Sequence, residues 1–125
     1  VKCEPDESPL EAASREFHEE AGLKLPPERY AVLGVLQFPN FKAHKKEDWL
    51  VYVCGVEISA AERNQLKDSC EEGALSWVAA QEVLTLNLWP GDRHFIPHVL
   101  EQVPFVGTIW YDGPVVTRHW LQKIS

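Results

Sequence analysis

The chain has 125 residues and a mass of 14.2 kDa, 45% of them hydrophobic and 25% charged, and its 12 Lys and Arg against 19 Asp and Glu leave a formal charge of −7. That is the profile of one globular domain, residues 1–125, large enough to bury roughly two thirds of its unfolded surface and to hold a core without disulfide staples. A field of that sign repels a phosphate backbone, which excludes nucleic-acid binding through a general basic surface, and no uncharged apolar run approaches the ~20 residues that span a bilayer.

The cysteines, Cys3, Cys54 and Cys70, are odd in number and show no Cys-x-x-Cys spacing. They read as small apolar residues of a reducing, cytoplasmic compartment, not as a disulfide framework or a thiolate zinc site. The sequence contains no Met and opens at Val1 directly ahead of a dense acidic segment. Further strands of the same domain are therefore expected upstream of Val1.

In chain order, Ser8-Pro9-Leu10-Glu11 predicts a helix start, with Ser8 as N-cap, Pro9 at the first helical position and Glu11 closing a capping box. Gly22 supplies the stop, and Leu10, Ala13, Phe17 and Ala21 form one apolar stripe between them. Residues Tyr30 to Phe38 and Trp49 to Val56 are rich in β-branched and aromatic side chains and predict strands, joined by a polar loop over Pro39 to Lys46. A short strand over Ala74 to Val78, a short helix over Ala80 to Leu84 and a second helix over Arg93 to Gln102 follow. Phe105 to Tyr111 and Val115 to Leu121 flank Asp112-Gly113, a strong hairpin signal. Trp77, Trp110 and Trp120 lie in strand-like runs and are expected in the core. None of the five histidines shows ligand spacing.

The first 20 residues carry −5 of the net charge, Lys2 and Arg15 against Glu4, Asp6, Glu7, Glu11, Glu16, Glu19 and Glu20. At 100° per residue, Glu16, Glu19 and Glu20 share an arc of about 100° beside the apolar stripe. Such crowding is repulsive unless a cation neutralises it, and an oxygen-only cluster selects a hard ion, Mg²⁺ or Mn²⁺. Arg15, four residues before Glu19, is placed to orient that carboxylate.

Glu7, seven intervening residues and then Arg15-Glu16-Phe17-His18-Glu19-Glu20-Ala21-Gly22-Leu23 resemble the Nudix box, with Val1 standing where the motif opens on glycine. The resemblance implies an α/β fold, an α/β/α sandwich around a mixed sheet, and hydrolysis of a nucleoside diphosphate linked to a further moiety. It implies that Glu16, Glu19 and Glu20 hold the metals, with Arg15 and Glu7 bracing the box. Divalent ions can bridge adjacent phosphates and polarise the phosphorus under attack, which removes the need for a covalent nucleophile.

The stretches Glu71 to Val78, Leu88 to Pro97 and Pro104 to Gly107 resemble the 8-oxo-dGTP diphosphatase branch of that family. The resemblance places Glu72 at an additional metal-binding or base glutamate, Trp89 at an aromatic that stacks on the purine, and Asp92 at an acid that hydrogen-bonds the purine edge. Gly91 replaces an acidic residue beside the matching aspartate. The expected catalytic set is thus Arg15, Glu16, Glu20 and Glu72, with Glu71 competing for the last role, and the expected substrate is an oxidised purine nucleoside triphosphate. Alternatives within the fold are a diphosphoinositol hydrolase, disfavoured by the acidic charge, and a non-catalytic binding module, disfavoured because the box carboxylates and Arg15 are intact.

Overall fold

The structure, a computed structural model, describes residues 1–42, 47–70, 73–74 and 77–124. Helix α1 runs Pro9–Ala21, followed by a 3-10 turn at Pro27–Arg29, strands β1 (Tyr30–Lys42) and β2 (Glu47–Val56), a one-turn helix α2 (Ala60–Arg63) and the short strands β3 (Ser69–Cys70) and β4 (Gly73–Ala74). A 3-10 helix at Ala80–Thr85, helix α3 (Asp92–Leu100) and the hairpin strands β5 (Phe105–Asp112) and β6 (Val115–Lys123) complete the chain. The result is a mixed α+β fold. Its main sheet has four strands in the order β2-β1-β5-β6, with β1 and β5 parallel and β5 and β6 antiparallel, and β3 and β4 pair separately.

Two compact units emerge from the packing, one formed by Val1, Cys3–Val32 and Cys54–Trp77, the other by Lys2, Leu33–Val53 and Val78–Ser125. In the first, α1 begins and ends where its caps dictate. Ser8 Oγ accepts the Glu11 N–H at 3.3 Å while Glu11 accepts the Ser8 N–H at 2.9 Å, and Gly22 closes the helix at φ +80°, a left-handed geometry that suits a residue without Cβ. The stripe predicted on α1 is the buried face: Ala13 packs with Leu23, Leu25 and Tyr30, and Leu10, Phe17, Val56, Ile58 and Leu66 lie against that cluster. A second capping box, Ser59 with Glu62, starts α2, and Glu62 also takes both terminal nitrogens of Arg29 at 2.9 Å.

In the second unit the core is Leu36, Phe105 and Ile109, onto which α3 sets Phe95 and Val99. Burial alternates along β5, with Phe105, Gly107 and Ile109 facing inward. That alternation corrects the expectation for two tryptophans. Trp110 lies on the opposite face, under the Arg118 guanidinium 4.7 Å from its ring centre, and Trp120, paired with Thr108 on that same face, is 48% exposed because β6 is an edge strand. In the first unit Trp77, also expected in the core, is 59% exposed with Arg63 stacked 4.5 Å from its ring centre.

The polar loop expected over Pro39 to Lys46 is also corrected at its start, because β1 continues through Lys42. The parallel ladder with β5 covers Gly34 to Gln37, so Pro39 costs no bond on that side of β1, and Asp48 of β2 accepts the Asn40 N–H at 2.6 Å. Residues 43–46 lie outside those described. The helix expected over Arg93 to Gln102 is α3, which spans Asp92–Leu100 with Pro97 inside it. The Asp112-Gly113 hairpin forms as expected.

Candidate active site

Arg15 is the hub of the acidic segment. Its guanidinium binds Glu7 through Nη2 at 2.8 Å and through Nε at 3.2 Å to both carboxylate oxygens, reaches Glu19 through Nη1 at 3.4 Å, and has Glu4 and Glu16 within 3.8 and 3.9 Å. Glu7 arrives there because residues 4–7 fold into a turn, in which the Glu7 N–H donates to the Glu4 carbonyl at 3.2 Å and the Glu4 N–H to the Glu7 carboxylate at 2.9 Å. These bonds hold the Glu7 carboxyl below the usual carboxylate range, with Arg15 the largest cause, and Arg15 in turn is held firmly in its charged form.

One turn apart on α1, Glu16 and Glu20 line a cavity of about 230 Å³, walled by Ala13, Phe17, Tyr30 and Cys54. Glu19 does not line it; its side chain is 62% exposed and turned toward Arg15. Of the three carboxylates expected to share a patch, the structure therefore brings two onto one cavity and gives the third to the arginine. Among the described residues no set of three His, Cys, Asp or Glu groups converges on one point, and Glu71 and Glu72 lie outside those residues.

The pair fits a hard divalent cation. Mg²⁺ keeps several of its waters and is commonly held by one or two carboxylates together with substrate phosphates. Burial pushes the thiol pKa of the neighbouring Cys54 up. Burial likewise raises the Tyr30 phenol, against a smaller opposing effect of Arg29.

In the second unit, Trp89 and Asp92 stand at the turn into α3. The Asp92 N–H donates to the Trp89 carbonyl at 3.0 Å, which folds the two side chains into one short turn. Trp89 is 61% exposed and meets Tyr111 edge-on at 6.3 Å. Tyr111 also contacts Phe41 and Phe38, at 5.8 and 6.3 Å, so an aromatic group extends from the Trp89 turn to β1. Burial raises the Asp92 pKa, a backbone hydrogen bond from Trp89 opposing it.

The NUDIX domain model matches residues 2–99. The chain belongs to the Nudix family. Among solved structures it is similar to the mutator MutT protein of Bacillus halodurans, with 26% identity and a TM-score of 0.79 over 95% of this chain and 76% of that one. The mixed α+β fold with its four-stranded sheet is the MutT-like Nudix fold.

For this Nudix domain, three features of the site have no counterpart in the expectations above. Glu4 joins the Arg15 hub, a residue that stood out only as one acid among many. Tyr111 backs Trp89 and Gly91 from a strand about twenty positions later, and Tyr30 walls the cavity of Glu16 and Glu20. Neither tyrosine carries a sequence signal, since each is one more aromatic in a strand-forming run and only tertiary packing selects it.

Proposed function

We propose that this Nudix domain, with residues 1–125 acting as one unit, is a metal-dependent pyrophosphohydrolase of purine nucleoside triphosphates, 8-oxo-dGTP among them, yielding the monophosphate and pyrophosphate and so clearing oxidised nucleotides from the pool. The observation that carries this reading is the division of labour on α1: Glu16 and Glu20 on one cavity, with Arg15 locked to Glu7 beside them. Glu16 and Glu20 hold Mg²⁺ or Mn²⁺, with Glu19 and Glu72 assigned to the same set by resemblance. Bound there, the ion neutralises phosphate charge and polarises the phosphorus under attack.

The protein's own residues do the rest. Arg15, held by Glu7 and reaching Glu19, orients the helix face on which Glu16 and Glu20 line the cavity. Cation neutralisation also explains how a chain of charge −7 tolerates a polyanionic substrate. For the base, the exposed indole of Trp89 provides a stacking face worth roughly 1–3 kcal/mol, and the Asp92 carboxyl provides a hydrogen-bonding group that discriminates by edge pattern. The similarity to a mutator MutT protein supports a nucleotide as the substrate class.

The test is a substrate panel with Mg²⁺, run on the parent and on Glu16→Gln. Faster turnover of 8-oxo-dGTP than of dGTP, sugar nucleotides or diphosphoinositol phosphates, with release of pyrophosphate and loss of activity in the variant, is the expected result. Equal turnover by the variant removes the metal assignment, and preference for another diphosphate removes the substrate assignment. Metal-independent ligand binding without any turnover identifies a binding module instead.

A further inference from the structure

The turn that carries Trp89 is not held in place by burial. From Leu84 to Pro90 every side chain is exposed except that of Leu88, which is half-buried. A segment with so little apolar packing depends for its position on the polar bonds it makes. Two of those are local, the Leu86 N–H donating to the Val83 carbonyl at 3.2 Å and the Leu88 N–H to the Leu86 carbonyl at 3.0 Å. They shape the segment but do not fasten it to the rest of the unit.

Two tethers on either side of Trp89 do that. After it, the Gly91 N–H donates to the Tyr111 phenol oxygen of β5 at 2.7 Å. Before it, Arg93 in the first turn of α3 donates through Nη1 to the Leu84 carbonyl and through Nη2 to the Leu86 carbonyl, the latter at 3.1 Å. Carbonyls at the end of a helix lack partners within it, and those two stand at the end of the 3-10 helix Ala80–Thr85. Only a planar fork of donors can grip two of them at once, which a lysine ammonium on its flexible stem does poorly. A ligand that stacks on a mobile loop must also order it, and a loop fixed beforehand spares that cost.

We infer that Arg93 is a positioning residue for base recognition: by holding the Leu84 and Leu86 carbonyls to α3 it fixes the loop on which Trp89 presents its indole to a purine. The inference rests on the proposed function, in which Trp89 stacks on the base, and adds to it the residue that keeps that stacking face in place. Arg93 acts through Trp89, not by contact with the nucleotide.

The experiment titrates the parent, Trp89→Ala, Arg93→Ala, Arg93→Lys and the Trp89→Ala/Arg93→Ala double variant calorimetrically with 8-oxo-dGMP and with base-free deoxyribose 5-phosphate, alongside thermal unfolding. Arg93→Ala should bind 8-oxo-dGMP about 5- to 10-fold more weakly, part of what the whole stacking contact is worth, with deoxyribose 5-phosphate affinity unchanged. Arg93→Lys, which keeps the charge and loses the fork, should show a smaller loss of the same kind, and it carries the comparison if Arg93→Ala does not fold. In the Trp89→Ala background the Arg93→Ala change should have no further effect, because the face it positions is gone. A loss of less than twofold in the variant that carries the comparison overturns the inference. So does an equal loss for deoxyribose 5-phosphate, or a full additional loss on top of Trp89→Ala. If Trp89→Ala weakens 8-oxo-dGMP binding and the Arg93 variants do not, the inference fails while the proposed function stands. If Trp89→Ala binds 8-oxo-dGMP as the parent does, or the parent binds it no more tightly than deoxyribose 5-phosphate, both fall together.

Discussion

Gly91 and Tyr111 compete for one small space. The Gly91 N–H donates to the Tyr111 phenol oxygen at 2.7 Å, and a Cβ on residue 91 would lie 2.3 Å from that oxygen and 3.0 Å from Ile109 Cγ2. No side chain fits at position 91 while the tyrosine stands there, which explains physically why this chain has no second acid next to Asp92. Gly91→Ala is therefore expected to destabilise by about 1–3 kcal/mol through overpacking, and Tyr111→Phe by a similar amount through the orphaned N–H. Because the two losses share one contact, the double variant should cost less than their sum, which a denaturant double-mutant cycle measures. Full additivity would show the two residues to be independent.

Arg15→Lys retains the charge but loses the fork that grips Glu7 at two nitrogens while reaching Glu19. If the hub orients the box carboxylates, kcat should fall about 10- to 100-fold, the usual effect of losing a group that orients metal ligands. Glu7→Gln should lower kcat comparably, and the two together no further than either alone. Steady-state kinetics at saturating Mg²⁺ decides the point.

Trp89 is exposed, so removing it tests recognition with little penalty to the fold. Trp89→Ala should raise KM for a purine triphosphate roughly 10- to 100-fold, the equivalent of one lost stacking contact, with Tm close to the parent's. Trp89→Phe should recover most of the loss. An unchanged KM would remove the residue from the base site.

The Arg29–Glu62 pair should contribute to the acid limb of stability. Its two bonds and the Ser59 N–H pull the Glu62 pKa from 4.5 to about 2, Arg29 being the largest cause. The folded pKa is depressed, so this contribution is complete above the unfolded value and is lost as pH falls from 4.5 toward 2. Glu62→Gln should flatten that part of a Tm-versus-pH curve and lower the plateau at neutral pH. A parallel downward shift at every pH would assign the effect to the α2 cap alone.

A second pH window belongs to His94, stacked on His119 with ring centres 3.8 Å apart. Burial lowers its pKa below 6.5, and the neighbouring imidazole adds to that. The unfolded chain takes up the proton first, so stability is intact above 6.5 and declines as pH falls below it. His94→Gln should be less sensitive between pH 6.5 and 5. An identical slope for parent and variant would exclude this residue.

Much of α1 was legible because everything that defines it is local. The caps at Ser8 and Gly22 and the stripe from Leu10 to Ala21 depend on neighbours within one or two turns, and the structure reproduces each of them. The hairpin at Asp112-Gly113 is local in the same sense. The α2 cap was equally legible in principle, since Ser59-Ala60-Ala61-Glu62 carries the same signature as Ser8 to Glu11, although the helix it starts is only four residues long. Trp120 went the other way, because a period of two tells which residues share a face but not which face is covered, and Trp77 lies outside the strands.

By itself, then, the amino-acid sequence determined the acidic helix, its register and the family to which it belongs, since a helical repeat and a motif of contiguous residues need no distant partner to exist. Tertiary structure alone decided which carboxylates face the cavity, and it brought Glu4 and Glu7 to Arg15. It also placed Tyr30 beside Glu16 and Tyr111 against Gly91. Those choices depend on atoms brought close by folding, and residues far apart along the chain acquire a common environment only when the chain is packed.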